Sequence, residues 1–299
     1  MNIGLIDAYS HNFPNLALMK ISAHHKARGD SVEWVCHMCH YDRVYKSKVF
    51  TDSYCPDDDT VIYADEIIHG GTGYGLDNRL IDEIEHIYPD YSVYPQFSEA
   101  YGFLTRGCPR NCPFCVVTQK EGEVSRQTAD LSEFWRGQKV IKLLDPNLLA
   151  CKEREKLLRQ LAKGRTYVDF TQGLDARLLT PDINRLLKNI RIQRLHFAWD
   201  SERDSDLILR NLERLIKDNN LHYTKVGVYV LTNYDTSFEF DLERVYTLRT
   251  IGADPYIMIY DRPNAPRRLI DLARYTNNKR ILRTVDSFDD YKAGRLKRA

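Results

Sequence analysis

The chain has 299 residues, 43% of them hydrophobic, which is enough for one large domain or two modest ones with packed cores. Its formal net charge of +1 excludes a polycation that binds nucleic acid by long-range attraction alone. No stretch approaches the ~20 apolar residues of a membrane-spanning helix, and the first residues lack the pattern of a secretory signal. We therefore expect a cytoplasmic protein that has no contact with a membrane.

Positive charge is concentrated near the end of the chain. Residues 262–299 hold 11 Lys or Arg against 4 Asp or Glu, a surplus of +7. Such a segment is either an ordinary solvated surface or a patch that holds an anionic substrate or RNA. The sequence leaves both interpretations open.

The first hundred residues predict strands alternating with a helix. Short apolar runs at 3–6, 32–35 and 66–69 predict buried strands. Between the first two, an apolar-periodic stretch from Pro14 to Arg28 predicts a helix, which Gly29 ends. This order is typical of the start of an open α/β sheet.

From residue 101 the pattern becomes regular. Amphipathic stretches predict helices, one capped by Thr180 with Pro181 at its first position and a later one capped by Asp241. The alternation indicates parallel βα units, although periodicity alone does not separate a barrel from a doubly wound sheet. The apolar runs that predict its strands lie near 101–104, 139–144, 166–170, 193–199, 224–231 and 255–260.

Three cysteines cluster directly after the strand predicted at 101–104. Cys108, Cys112 and Cys115 have the spacing C-x3-C-x2-C, and Pro109 and Pro113 restrict the loop between them. Thiolates are the ligands that hold iron–sulfur clusters. Three of them would leave one iron of a [4Fe–4S] cluster open, and an open position is where a reacting molecule can bind. A zinc site completed by a distant His or Cys is the alternative.

This spacing, with the aromatic Phe114 just before the last cysteine, resembles the signature of the radical S-adenosylmethionine superfamily. The resemblance implies that Cys108, Cys112 and Cys115 are the catalytic metal ligands of a [4Fe–4S] cluster whose open iron chelates S-adenosylmethionine. It further implies that a flavodoxin or ferredoxin reduces the cluster. Cleavage of the sulfonium would then give a 5′-deoxyadenosyl radical, which abstracts hydrogen from a substrate. An RNA base, a peptide and a small metabolite all remain open as that substrate.

The same resemblance assigns residues to the binding of S-adenosylmethionine. Phe114 would pack near the adenine, Asp145 and Asn147 would lie at the methionyl amine, and Arg177 would pair with the carboxylate. The other positions lie at or just after the ends of predicted strands, where barrel sites form. The full predicted set is Phe114, Asp145, Asn147, Gln172, Asp175, Arg177, Asp200 and Asn233.

The N-terminal region resembles the flavodoxin-like domain of the cobalamin-binding branch of that superfamily. The Asp-x-His-x-x-Gly motif that supplies the cobalamin ligand there is missing, so no cobalamin is expected. Cys36 and Cys39 form half of a zinc-type motif, which Cys55 and a neighbouring His would complete as an auxiliary metal site. The alternative is that these residues lie at the end of a strand and bind no metal.

The expected fold class is therefore α/β. A flavodoxin-like open sheet would span residues 1–98, a partial (βα)6 TIM barrel 99–262, and a basic C-terminal extension 263–299. The expected function is a radical S-adenosylmethionine enzyme of unknown substrate. The alternative is a zinc-stabilised RNA-binding module without catalysis.

Overall fold

A computed structural model describes residues 1–8, 13–50 and 60–291. They form an α/β protein with parallel sheets, as the alternating pattern predicts. The chain divides into two compact units, Met1–Ile141 and Lys142–Ala299. This division falls inside the range 99–262, and the domain ranges given above stay a prediction. Within the described ranges, no helix combines the length and the apolar character needed to cross a membrane.

Strands and helices alternate along most of the chain. The strands are β1 (Asn2–Asp7), β2 (Ser31–Trp34), β3 (Arg43–Ser47), β4 (Ile67–Gly70), β5 (Ala100–Gly102), β6 (Thr105–Arg106), β7 (Arg126–Gln127), β8 (Val140–Leu143), β9 (Tyr167–Phe170), β10 (Arg191–Ala198), β11 (Val226–Thr232) and β12 (Asp254–Ile259). The helices are α1 (Leu16–Ala27), α2 (Asp82–Glu85), α3 (Val117–Glu121), α4 (Arg154–Gly164), α5 (Pro181–Lys188), α6 (Ser205–Asn219), α7 (Phe238–Thr250), α8 (Arg267–Asn277) and α9 (Lys279–Thr284).

The first unit contains a sheet of parallel strands in the order β2-β1-β3-β4. Helix α1 begins after Asn15, whose side chain accepts a hydrogen bond from the Leu18 N–H at 3.3 Å. The predicted helix at 14–28 and the three predicted strands are confirmed, with small shifts at their ends. Strand β3 was not predicted, because Arg43, Lys46 and Ser47 break its apolar pattern. The core of this sheet consists of Ile3, Leu5, Leu18, Ile21 and Ile84.

In the second unit, parallel strands β9 to β12 lie side by side in chain order, and β8 lies beside β9. The predicted strands of this half are confirmed. Helix α5 starts as predicted, with the Thr180 side chain accepting from the Ile183 N–H at 3.3 Å. The predicted cap of α7 was wrong: Ser237 caps that helix, and Asp241 lies inside its first turn.

The two faces of the second unit's sheet differ. Side chains alternate across a strand, so every second residue shares a face. One face is fully packed by apolar residues, among them Val168, Phe170, Leu195, Phe197, Val228 and Val230. The other face, which we call the open face, carries partly or fully exposed polar and aromatic residues: Asp169, Arg194, His196, Tyr229 and Tyr256.

The segment predicted as a basic extension is folded over residues 267–284. Leu272 and Tyr275 of α8 are fully buried. At the end of this helix, the Asn277 side chain accepts from the Ile257 N–H at 2.8 Å and donates to the Ile257 carbonyl at 3.0 Å. Strand β12 is the last strand in the sheet order, so its outer N–H and C=O groups have no neighbouring strand. The Asn277 side chain occupies two of these groups, which could otherwise pair with another chain.

Candidate functional site

The cysteine loop follows β6, and its two ends are tied together in the first unit. The Cys108 N–H donates to the Gly122 carbonyl at 3.0 Å, and the Thr118 hydroxyl donates to the Cys108 carbonyl at 3.4 Å. Gly107 has φ +92°, and a Cβ built on it would lie 2.1 Å from the Val124 carbonyl oxygen. Only glycine fits there without a shift of the backbone, so the start of the loop is fixed by sterics as well as by hydrogen bonds.

Arg106 closes the base of this loop. Its guanidinium bonds Glu85 at 2.9 Å, from the segment before the loop, and Glu121 at 3.0 Å, from α3 after it. Lys20 also bonds Glu85, at 3.1 Å. Burial would raise the pKa of Glu85, but Arg106 and Lys20 outweigh it and lower the pKa. Two carboxylates thus hold Arg106, two residues before the first cysteine, in one position.

The thiols of this loop are partly exposed. Cys108, Cys112 and Cys115 form no disulfide with any described residue. The Cys115 N–H donates to the Cys112 carbonyl at 2.9 Å, so the C-x2-C segment is a closed turn. Phe114, inside that turn, is also partly exposed, and its packing against adenine stays a prediction.

The donor set suits an iron–sulfur cluster in its chemistry, because three thiolates on one short loop are the usual ligands. The ligand geometry is not pre-formed. Within the described part of the chain, no three His, Cys, Asp or Glu side chains are gathered as a group that could hold a metal ion. Binding a cluster would therefore require the three sulfurs to converge, which is a local change of side chains on a loop with a fixed base.

The second unit places several predicted residues directly after its strands. Asp145 and Asn147 follow β8 and are 4% and 3% exposed. The Asn147 amide donates to Asp175 at 3.5 Å, a long contact between the segments after β8 and β9. Gln172 lies between β9 and Asp175, and its side chain is exposed to solvent.

Asp175 and Arg177 form an ion-pair network. The Arg177 Nε donates to Asp175 at 2.7 Å, and its Nη1 donates to Asp204 at 2.7 Å. Burial would lower the pKa of Arg177, but the two carboxylates outweigh it and raise the pKa. Nη2 makes no hydrogen bond with a described residue, so this nitrogen is the part of Arg177 that can still meet a carboxylate ligand.

Asp200 and Asn233 follow β10 and β11. Asp200 accepts a hydrogen bond from the Leu231 N–H at 3.3 Å. Burial raises the pKa of Asp200, and Leu231, Arg244 and Arg177 offset this only in part. Asn233 has φ +62°, and its amide donates to the Tyr260 carbonyl at 2.8 Å. Both side chains therefore connect neighbouring strand ends in this structure.

Arg244 is a residue of this region that the sequence analysis missed. Its fully buried guanidinium donates to the Trp199 carbonyl, to the Leu231 carbonyl at 2.9 Å and to Asp241. Burial lowers the pKa of Arg244, and Asp241 opposes that shift. A signal was present, because Asp241 and Arg244 fall at i and i+3 on the same helix stripe as the apolar Val245 and Leu248.

His196 on the open face was also missed. Its Nδ1 lies 3.2 Å from the Phe170 carbonyl, and its ring stacks on Tyr229 with 5.3 Å between centroids and an interplanar angle of 8°. Burial, followed by Arg194, lowers the pKa of His196 to about 4. The ring is therefore neutral near pH 7, and with Nδ1 donating, Nε2 is an acceptor that no described residue uses.

Gly227 makes room for these side chains. A Cβ at this position would lie 3.0 Å from the His196 ring and 3.1 Å from the Arg194 guanidinium. Arg194 crosses the sheet there and bonds Asp254 at 2.7 Å. The open face thus combines a fixed neutral imidazole with a neighbouring ion pair, an arrangement that can bind a polar ligand carrying a hydrogen-bond donor.

Cys36 and Cys39 are exposed on the loop after β2, and Cys55 lies outside the described residues.

No protein-family model matches this chain, and no curated protein is significantly similar to it.

Proposed function

We propose that this protein is a radical S-adenosylmethionine enzyme in which Cys108, Cys112 and Cys115 hold a [4Fe–4S] cluster. The observation that carries the proposal is the C-x3-C-x2-C loop, with partly exposed thiols on a base that Gly107 and Arg106 fix. When bound and reduced by a flavodoxin or ferredoxin, the cluster supplies the electron that cleaves S-adenosylmethionine, which starts hydrogen abstraction from a substrate.

The chain's own residues would hold the cluster, S-adenosylmethionine and the substrate. The fixed base of the cysteine loop limits the entropy lost when the three sulfurs converge on a cluster. In the second unit, Asp145, Asn147, Gln172, Asp175, Asp200 and Asn233 would supply acceptors and amides to S-adenosylmethionine, and Arg177 Nη2 would meet its carboxylate. The neutral Nε2 of His196 would accept a hydrogen bond from the substrate.

Two features of the fold support this proposal. The strand order β2-β1-β3-β4 is that of the first strands in a flavodoxin-like sheet, which is the fold proposed for the N-terminal region. In the second unit, parallel strands in chain order have one face packed and one face open. A barrel has this arrangement, whereas a doubly wound sheet has helices on both faces. We therefore propose a partial barrel of the TIM type, in a cytoplasmic enzyme without cobalamin.

Anaerobic reconstitution of the full chain with iron and sulfide tests the proposal. We expect about four iron and four sulfide per chain, and 5′-deoxyadenosine, detected by mass spectrometry, once a reductant and S-adenosylmethionine are added. Cys108→Ala is expected to lose both the cluster and the product, with Cys151→Ala as a cysteine variant outside the loop. Tightly bound zinc in place of iron, with no cleavage, would overturn the proposal and favour the zinc-stabilised RNA-binding module.

Adding cell extract to the same assay searches for the substrate. A modified RNA, a peptide and a small metabolite are distinguished by nuclease treatment, protease treatment and filtration of the extract. If the substrate is RNA or another polyanion bound by the basic residues after 262, its binding will weaken steeply with added salt.

A further inference from the structure

The loop after β2 holds a second pair of cysteines in a fixed turn. The Cys39 N–H donates to the Cys36 carbonyl at 3.0 Å, which closes a four-residue turn over Cys36 to Cys39. The Cys36 N–H in turn donates to the Tyr41 hydroxyl oxygen at 2.9 Å, and that hydroxyl donates to Glu33 at 2.8 Å. Tyr41 is buried, so the turn is anchored to the core of the first unit.

Both thiols are exposed, and they lie at the two ends of this closed turn. The neighbouring Cys36 is the main reason that the pKa of Cys39 is raised. A closed turn keeps its first and fourth Cα atoms within about 7 Å, and a disulfide usually spans about 4.4–6.8 Å between Cα atoms. The two sulfurs can therefore be joined with little change of the backbone.

A metal ion is the weaker interpretation of this pair. Two thiols supply only half of a tetrahedral site. His40 is engaged with Asp65, 3.0 Å from its Nε2, and the described residues contain no third ligand gathered with the two sulfurs. The geometry thus favours a bond between the sulfurs over a shared ion.

We propose that Cys36 and Cys39 are a reversible redox site that forms an intramolecular disulfide by exchange with a low-molecular-weight disulfide of the glutathione type. One protein thiolate attacks a sulfur of the small disulfide, and the first small thiolate leaves. The second protein thiol, after releasing its proton to solvent, attacks the resulting mixed disulfide and displaces the second small thiolate. Two protein thiols are oxidised, and one small disulfide is reduced to two thiols.

This site is separate in sequence and chemistry from the cysteine loop. The closed turn gives the second step a high effective concentration, because the attacking sulfur is already a neighbour of the sulfur it attacks. A disulfide between Cys36 and Cys39 would cross-link this turn without using any of the three cysteines proposed to hold the cluster.

The test uses the full chain, treated anaerobically with oxidised glutathione, alkylated and digested with trypsin. The peptide 29–43 contains Cys36 and Cys39 and no other cysteine. We expect it to lose two hydrogen atoms and resist alkylation, and to recover both alkylation sites after reduction by dithiothreitol. Cys39→Ser should instead accumulate a glutathione adduct on Cys36, whereas Met38→Ala, which keeps both thiols, should behave as the unaltered chain.

Full alkylation of both cysteines at a glutathione potential that oxidises a reference dithiol would overturn the proposal. So would a stable glutathione adduct in the unaltered chain, since it would mean that the second thiol does not attack. Protection of both thiols by stoichiometric zinc, released by a chelator, would replace the redox site with a metal site.

Discussion

The cysteine loop of the first unit and the strand ends of the second carry their predicted functional residues in opposite states. In the loop, the supporting groups are bonded internally, as Arg106 is to Glu85 and Glu121, while the thiols stay partly exposed. At the strand ends, the functional side chains are themselves bonded. Arg177 pairs with Asp175 and Asp204, and Asn233 bonds the Tyr260 carbonyl.

This difference separates two ways of preparing a site. A partly exposed thiol on a fixed loop can meet a ligand from solvent while the ion pairs that support the loop stay in place. A side chain that is already bonded must use its remaining atoms, as Arg177 can with Nη2, or exchange partners when a ligand arrives. Substitutions in the loop should therefore change ligand binding more than stability, and substitutions at the strand ends should change both.

The largest effect is expected for Cys115→Ser. The variant should lose the iron–sulfur cluster and all formation of 5′-deoxyadenosine, because two thiolates do not hold the cluster. Its free energy of unfolding without metal should stay within about 0.5 kcal/mol of the unaltered chain, since the side chain is partly exposed. Iron analysis and urea denaturation measure the two quantities, and Cys36→Ser is the matched control. A Cys115→Ser protein that keeps its full iron content would break the comparison.

The support of the loop is tested by Gly107→Ala. Gly107 and Gly29 have similar φ values, +92° and +84°, but a Cβ on Gly29 meets nothing within 4 Å. Gly29→Ala should cost only backbone strain, roughly 1–2 kcal/mol. Gly107→Ala adds a contact with the Val124 carbonyl that forces the loop to move, so it should also lose most of the bound iron. Equal iron contents in the two variants would show that the base of the loop does not control cluster binding.

The sequence predicts the strands of the second unit well because each carries apolar residues along one packed face. Phe170 and Leu195, for example, lie on that face at the positions where the runs predict strands. It fails at β3, where Lys46 and Ser47 are buried although neither is apolar. It also fails at Asp241, a favourable capping residue, because Ser237 starts the helix one turn earlier. Local patterns thus locate elements whose burial is apolar, and miss those whose burial depends on partners elsewhere.

The candidate site follows the same rule. The cysteine loop is visible in the sequence because its thiols lie within eight consecutive residues. For Arg244, the sequence shows the pairing with Asp241 on one helix stripe but not the bond to the Trp199 carbonyl, because Trp199 lies 45 positions earlier in the chain. His196 is recognisable only once β9 and β10 are paired, which brings the Phe170 carbonyl to its Nδ1. Residues whose roles depend on strand pairing require the structure.

Arg244→Met tests how far the strand ends depend on buried bonds. The variant leaves Asp241 buried without its cation, which should lower the free energy of unfolding by about 3–5 kcal/mol. Arg185→Met removes an exposed pair with Asp182 and should cost less than about 1 kcal/mol. The double variant Arg244→Met with Asp241→Leu should recover part of the loss, as urea denaturation will show. A loss no larger than that of Arg185→Met would mean that the buried pair does not hold these strand ends.

His196 is bonded like the strand-end residues through its Nδ1, and its Nε2 can still accept a hydrogen bond from a ligand. The protonation of His196 can be followed through the pH dependence of stability. Burial and Arg194 lower its pKa to about 4 in the folded protein, against about 6.5 in the unfolded chain. Between these values the unfolded chain binds a proton that the folded protein does not, so stability falls as the pH falls from 6.5 towards 4. The total change that this residue contributes is about 3 kcal/mol.

His196→Asn keeps an amide donor for the Phe170 carbonyl and removes the titrating group. The difference in unfolding free energy between the unaltered chain and this variant should be constant above pH 7 and change by about 3 kcal/mol towards pH 4. Tyr229→Phe keeps a ring against the imidazole and should retain the pH dependence of the unaltered chain. A difference that does not vary with pH would place His196 in solvent-like surroundings. The open face would then have no acceptor that stays neutral in mildly acidic solution, because an imidazole in such surroundings is protonated below about pH 6.5.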